Sequence, residues 1–207
     1  LVDPESFTLI KETIEKTIAA LKARNVEALF VETKEEAFEK IKELVSPGAS
    51  VNNGSSRTLE EIGIVAYLKG TEHGWNNLHS AIVAETDPEK QAALRQKALF
   101  SDFYLGSLHA LSETGEIVIA SASGSQLPHL VFTSKNIILV AGVQKITSSL
   151  ETAIQRLREY VFPLEDERMK SVGMGGSVIS KILILEHEPE FMGRSFKVIL
   201  VNEKLGF

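Results

Sequence analysis

Cysteine is absent from the 207 residues, which excludes disulfides, thiolate nucleophiles, cysteine-ligated zinc and iron–sulfur clusters within this chain. The same absence fits both redox environments and leaves the compartment itself open. No block of Lys or Arg stands out, and 22 basic residues face 28 acidic ones for a net charge of -6, so nucleic acid is not expected as a partner. Long apolar runs are missing too. The strongest, Asn136–Val143, is far too short for a bilayer, and the first residues lack the basic-then-apolar order of a signal peptide. A cytoplasmic chain with no membrane segment is expected. With 43% hydrophobic residues the sequence can bury the core of one domain spanning 1–207, and neither an internal repeat nor a low-complexity linker divides it.

What is present is an alternation of short apolar runs and periodic segments. Phe7, Ile10, Ile14, Ile18 and Leu21 fall at three- and four-residue steps and predict an N-terminal amphipathic helix over 1–24. Val26–Val31 reads as a strand. Thr33 with Glu36 forms a capping box for a helix that stops at Pro47-Gly48, and Ser50–Asn53 is a second strand leading to a further helix from Thr58. Asp87-Pro88 caps a helix to about Phe100, with Pro at the first position where its missing N–H costs nothing. Residues 117–120 and 137–140 are buried-looking strands, the first followed by a helix over 124–132, and Ser148/Ser149 opens a helix carrying Ile154, Leu157, Tyr160 and Val161 on one face. Residues 182–185 and 196–201 read as a closing strand pair over 182–207 at an antiparallel edge. Together these predict an α/β layer fold around a mostly parallel sheet with helices on both faces.

In such sheets ligands lie beyond the carboxyl ends of the strands, which singles out particular loops. Gly54-Ser55-Ser56-Arg57 links a strand to a helix, so backbone N–H groups, two hydroxyls and a guanidinium can face one anion; it reads equally as a serine cap with Arg57 in solvent. It is neither a P-loop nor a dinucleotide-binding glycine turn. Ser123-Gly124-Ser125-Gln126 has the same grammar and the same alternative. Gly142–Lys145 offers an amide and an ammonium, and otherwise a surface loop. Residues 106–126 read GSLHALSETGEIVIASASGSQ, an apolar run bracketed by small polar clusters that are either plain turns or the walls of a site needing backbone access, with Gly106 and Ser107 on one side.

Within that stretch His109 and Glu113 are the candidate acid–base pair, Glu113 standing beside Thr114 and Gly115 at a turn before a buried strand. A lone His in a polar loop is more often a hydrogen-bonding structural residue. The Gly-x-Ser-x-Gly elbow of serine hydrolases is absent. Glu72-His73, His79 and Glu186-His187-Glu188 lack the i, i+4 histidine pair of zinc hydrolases, so no metal is expected, and no cofactor is called for. Gly173–Ser177 reads as a mobile connection rather than a phosphate nest.

Gly106-Ser-Leu-His-Ala110-Leu-Ser-Glu113-Thr114-Gly115-Glu-Ile117 resembles the Gly-x-x-x-Ala-x-x-Glu-Thr-Gly-x-Ile/Val stretch of the LUD-domain family, the lactate-utilisation LutC-like proteins. Ser56-Arg-Thr58-Leu59-x-Glu61-x-Gly63 is similar to a second segment of that family, and Ala120–Gln126 with Ile138–Lys145 looks like its short, single-domain members. The resemblance implies a Rossmann-like fold of the NagB/RpiA/CoA-transferase superfamily. It also implies a link to the oxidation of L-lactate to pyruvate, with iron–sulfur redox proteins as partners. This chain, having no cysteine, cannot itself hold such a cluster. Two functions follow: a domain binding a small anionic metabolite, a hydroxy or keto acid or a sugar phosphate, with Arg57 on the anion and Glu113 as base; or a non-catalytic accessory subunit that assembles with redox proteins.

Overall fold

The computed structural model describes the backbone of residues 4–207 and the side chains from Lys11 onward. Helix α1 (Pro4–Ala23) buries Ile14 and Leu21 of the predicted stripe and Thr17 beside them, with Ile18 partly buried; Phe7 and Ile10 lie outside the described side chains. Strand β1 (Glu27–Val31) leads to α2 (Lys34–Leu44), where the Thr33 side chain accepts from the Glu36 N–H while the Glu36 carboxylate reaches back to Glu32 N–H. β2 (Ser50–Asn53), α3 (Arg57–Glu61), α4 (Ile64–Lys69), the short β3 (Asn76–Asn77) and α5 (Leu78–Ala84) follow, then α6 (Pro88–Ala98), whose cap Asp87 accepts from two N–H groups.

Next come β4 (Phe103–Ser107), the hairpin β5 (Ala110–Ser112) and β6 (Ile117–Ser121), then β7 (Asn136–Gly142) and β8 (Ile146–Thr147). Between β6 and β7 the expected helix is shorter than its pattern predicts. Polar turns occupy residues 122–126, and only 127–133 coil, as a π turn over His129–Thr133. α7 (Leu150–Arg156) runs through a π turn at Leu157–Val161 into α8 (Phe162–Ser171). The widened turn, with Phe162 N–H on Leu157 O, lets the helix pass Pro163, which has no N–H to give.

β1, β2, β3, β4, β7 and β10 (Ser195–Val201) form one parallel sheet in the order β1-β10-β7-β4-β2-β3. A second sheet, β8-β5-β6-β9 with β9 at Lys181–Leu185, has antiparallel β5–β6 and β6–β9 pairs. The two closing strands therefore do not pair with each other: β9 goes to the edge of the small sheet and β10 into the middle of the large one. The link between them is fixed by the buried Glu188–Arg194 ion pair at 2.6 Å, with Arg194 also donating to the carbonyls of His129 and Leu130.

Alternation along the central strands makes two cores. Ile138 and Val140 of β7 face α2, α3 and α4 with Ile41, Leu59 and Ile64, whereas Ile137, Leu139 and Ala141 face α1 and the small sheet through Leu21, Ile117 and Ile119. Burying each of these large side chains stabilises the fold by roughly 1.5–3 kcal/mol. The other side of the small sheet packs Ala110, Val118 and Ala120 on Ala153, Leu157 and Val161. The layers are thus helices, parallel sheet, α1 with the small sheet, and the long helix of residues 150–171.

Candidate functional site

β2, β4 and β7 are consecutive neighbours in the parallel sheet, so the loops leaving their carboxyl ends emerge side by side. The loop leaving β6 bends toward the same rim. Between them lies a cavity of about 560 Å³ lined by Gly54, Ser55, Ser56, Arg57, Gly106, Ser107, His109, Ser123, Ser125, Gln126 and Lys145, all sites expected from sequence. Met174, Ser177, Val178 and Phe207 also line it, so the Gly173–Ser177 segment forms a lip, its Ser177 N–H held by Asp166 at 2.7 Å.

Four of the expected residues are elsewhere. Glu113, Thr114 and Gly115 sit on the β5–β6 hairpin, turned toward α1 and away from the cavity. Glu113 forms an ion pair with Lys16 at 2.6 Å, their side chains 20% and 60% exposed, and does not line the cavity where a base is needed. Arg24 staples the hairpin: its Nε donates to Thr114 O at 2.7 Å and its guanidinium pairs with Glu116. Gly115, at φ 95°, lies so close to the Arg24 side chain that a Cβ would stand 2.8 Å from its Cδ. The motif Glu-Thr-Gly is thus a brace between α1 and the hairpin. Gly124 permits the turn after β6 but backs onto the Lys181 stem.

The loops that do converge are locally well determined. Ser56 caps α3 by accepting from Leu59 N–H at 3.2 Å, so Gly54 and Ser55 hold the β2 exit above Tyr104; a Cβ on Gly54 would stand 2.9 Å from the Tyr104 hydroxyl. After β6, Ser121 Oγ accepts from Gly124 N–H at 2.9 Å, and Gln126 Nε2 donates to Ala120 O at 2.9 Å. Beneath them Tyr104 stacks on His129, whose ring nitrogens contact Asn52 at 2.9 Å and Ser134 at 2.8 Å. Burial raises the Tyr104 phenol above its ordinary value and pushes His129 down to about 4, so both are neutral at pH 7.

Charge decides which group can hold a ligand. Arg57 is half-exposed and already paired with Glu60 at 2.8 Å and Glu61 at 3.6 Å on its own helix turn, and Arg168 is bidentate to Glu165 at 2.7 Å. Lys145 differs. Its side chain is not on a surface loop but buried, 3% exposed, and Nζ lies 3.0 Å from Thr58 Oγ1, 3.1 Å from Ser107 Oγ and 3.1 Å from Leu108 O. Among the described residues no carboxylate stands within 4.0 Å of it. Burial, with the Arg156 guanidinium adding to it and Glu61 opposing it, pulls its pKa down to about 7.

Arg156 stacks on Tyr160 at 4.8 Å, and its Nε and Nη2 have no partner among the described residues. His109 is partly buried and held neutral, down to about 4, by desolvation and the positive charges of Lys145 and Arg156. Its Nδ1 accepts from Ala120 N–H at 3.2 Å, which places the ring proton on Nε2. The site therefore joins a positive, poorly compensated centre to a rim of hydroxyls and one neutral imidazole donor.

Of the His and carboxylate groups weighed for metal, His73 Nδ1 accepts from Trp75 N–H at 2.9 Å and Glu188 pairs with Arg194. No helix among the described residues is long and apolar enough to cross a membrane.

Comparison with known proteins fits this architecture. No curated protein matches the sequence. A crystal structure of a DUF162 family protein from Deinococcus radiodurans is similar with a TM-score of 0.55 at 13% identity, over 93% of this chain and 98% of that one, a likeness of fold. The family model for the LUD domain matches residues 14–201, nearly the whole length, and the chain belongs to the LUD-domain family.

Proposed function

We propose that the cavity at the carboxyl ends of β2, β4 and β7 binds a small, oxygen-rich anionic metabolite, a hydroxy or keto acid or a sugar phosphate. The observation that carries this reading is Lys145: a buried amine at the cavity wall, held by neutral oxygens alone. An anion beside it supplies the missing counter-charge in a desolvated place, where charge-assisted hydrogen bonds are strongest. Ser55, Ser123, Ser125 and Gln126 offer donors and acceptors for the ligand's hydroxyl or carbonyl oxygens. Arg57, committed to Glu60 and Glu61, contributes at the mouth rather than at the anion. Lactate and pyruvate belong to the ligand class, which links this reading to L-lactate oxidation.

Thermal denaturation of the purified chain with L-lactate, pyruvate, inorganic phosphate and ribose 5-phosphate tests it. A ligand at 100 times its Kd adds about 2.7 kcal/mol, a shift of roughly 5–10 °C for a domain of this size. Lys145→Met erases that increment, while Glu113→Ala leaves it intact. Absence of any response, with iron–sulfur proteins co-purifying instead, would favour the accessory-subunit reading.

A further inference from the structure

Ser107 ends β4 at the cavity wall, and its hydroxyl is placed for more than ligand binding. Its Oγ lies 3.1 Å from Lys145 Nζ and 3.1 Å from Thr58 Oγ1, and Nζ lies 3.0 Å from the same Thr58 oxygen. Thr58 and Lys145 are buried, whereas Ser107 is half-buried and opens to the cavity. An ammonium donates in all three directions. A neutral amine has two N–H bonds and one lone pair, and of its three neighbours only the two hydroxyls can donate to that pair, because the Leu108 carbonyl only accepts. Deprotonated Lys145 can therefore receive a hydroxyl proton, and Ser107, the less buried of the two hydroxyls at the cavity, is the more open to a ligand; its proton turns to Nζ from Thr58 Oγ1 or Leu108 O, to which it otherwise donates at 3.1 and 3.3 Å.

We propose that Ser107 is a nucleophile, Lys145 its general base and Thr58 a positioning residue, acting on a small activated acyl group, an ester or thioester. The proposal rests on the reading of this cavity as a metabolite site. The Ser107 hydroxyl proton passes to Lys145 Nζ as Oγ bonds the acyl carbon. The tetrahedral oxyanion then collapses, and the alcohol or thiol departs with the proton from Lys145. Water repeats the sequence on the acyl-serine: its proton goes to Lys145, its oxygen to the acyl carbon, and Ser107 leaves with the proton restored. The net change is ester plus water to acid plus alcohol, with no redox partner. His109, lining the same cavity with its proton on Nε2, offers the oxyanion a neutral donor. The carboxylic acid released is the small anion that a protonated Lys145 holds, so anion binding is the product state of this reaction.

The amine's titration near 7 gives the base its working range, set by burial, by Arg156 from α7 and by Glu61 from α3, while His109 beyond β4 is neutral across it. The full chain is mixed with p-nitrophenyl acetate, and nitrophenolate release and the site of acetylation are followed by absorbance and peptide mass spectrometry. Expected are a burst of about one equivalent per chain, acetyl on the Ser107 peptide, and an acylation rate that rises with pH through about 7. Ser107→Ala and Lys145→Met lose the burst, while Ser107→Cys carries the acetyl group on its thiol. Acetyl on Lys145, an unlabelled Ser107, or a burst that persists in Lys145→Met would each overturn the proposal. Thermal shifts by pyruvate or phosphate on the same preparations separate the two readings: shifts without acylation defeat the chemistry alone, and neither defeats both.

Discussion

Replacing Lys145 by Met is expected to stabilise the ligand-free protein while abolishing its response to anions. Burial lowers the ammonium from its ordinary value to about 7, which at neutral pH corresponds to a charging penalty on the folded state of about 4 kcal/mol. Methionine fills the space of the stem without charge. Lost with the amine are its bonds to Thr58, Ser107 and Leu108, each worth about 1 kcal/mol net. The two hydroxyls left behind still bond each other at 3.1 Å. The balance is a gain of about 1 kcal/mol, or about 2–4 °C in Tm.

The pH dependence of that difference is sharper than its size. The folded pKa of Lys145 lies below the unfolded one, so between about pH 7 and 10.5 the unfolded chain binds a proton that the folded chain does not. Native stability therefore rises with pH through that window, and the contribution is absent from the variant. The stability difference between Lys145→Met and the parent accordingly changes by about 3 kcal/mol between about pH 6.5 and about pH 9.5 and reverses sign, the parent being the more stable at the higher pH, because every other group titrates alike in both proteins. Urea denaturation of the pair at both pH values measures it. A difference that does not change with pH, or a methionine variant several kcal/mol less stable at neutral pH, refutes the reasoning.

Three further outcomes follow from named contacts. Glu113→Gln breaks only a half-exposed pair with Lys16 and is expected to change stability by no more than about 1 kcal/mol in thermal denaturation. Glu188→Gln strands Arg194 in the interior and costs about 3 kcal/mol, read by urea denaturation. His109 and His129 are neutral in the folded state down to about pH 4, so the unfolded chain takes up protons first as pH falls below 6.5 and stability declines from there toward 4. His129→Asn removes one of these protons, and its urea midpoint falls less steeply than that of the parent across the same window.

Local chemistry made much of this legible in the sequence. The caps at Thr33, Ser56 and Asp87 stand where short polar side chains precede periodic segments, and Ser50–Asn53, 117–120 and 137–140 form strands because their apolar runs are too short for helices. The loops after β2 and β6, singled out by their strand-to-helix grammar, line the cavity. Their meeting depends on β2, β4 and β7 lying side by side, which no local pattern encodes.

Lys145 shows the limit most clearly. Gly142–Lys145 has the composition of a surface loop, and what buries the side chain comes from Thr58, Ser107 and Leu108, at least 37 positions away in the chain. Glu113 errs the other way. A carboxylate at a tight turn before a buried strand suggests a desolvated base, but the hairpin directs it to Lys16 on α1, a contact spanning 97 positions. The final strands looked paired because they are adjacent in sequence; Glu188 and Arg194 instead fasten a link that sends them to different sheets.

The most direct measurement is a pH titration of the Lys145 side chain by NMR, assigned with Lys145→Met, in the free protein and with pyruvate or inorganic phosphate. A site built around a buried, uncompensated amine predicts a midpoint near 7 without ligand and an upward displacement when the anion binds, since the added negative charge favours the ammonium. A midpoint in the ordinary lysine range, unmoved by either anion, would contradict it.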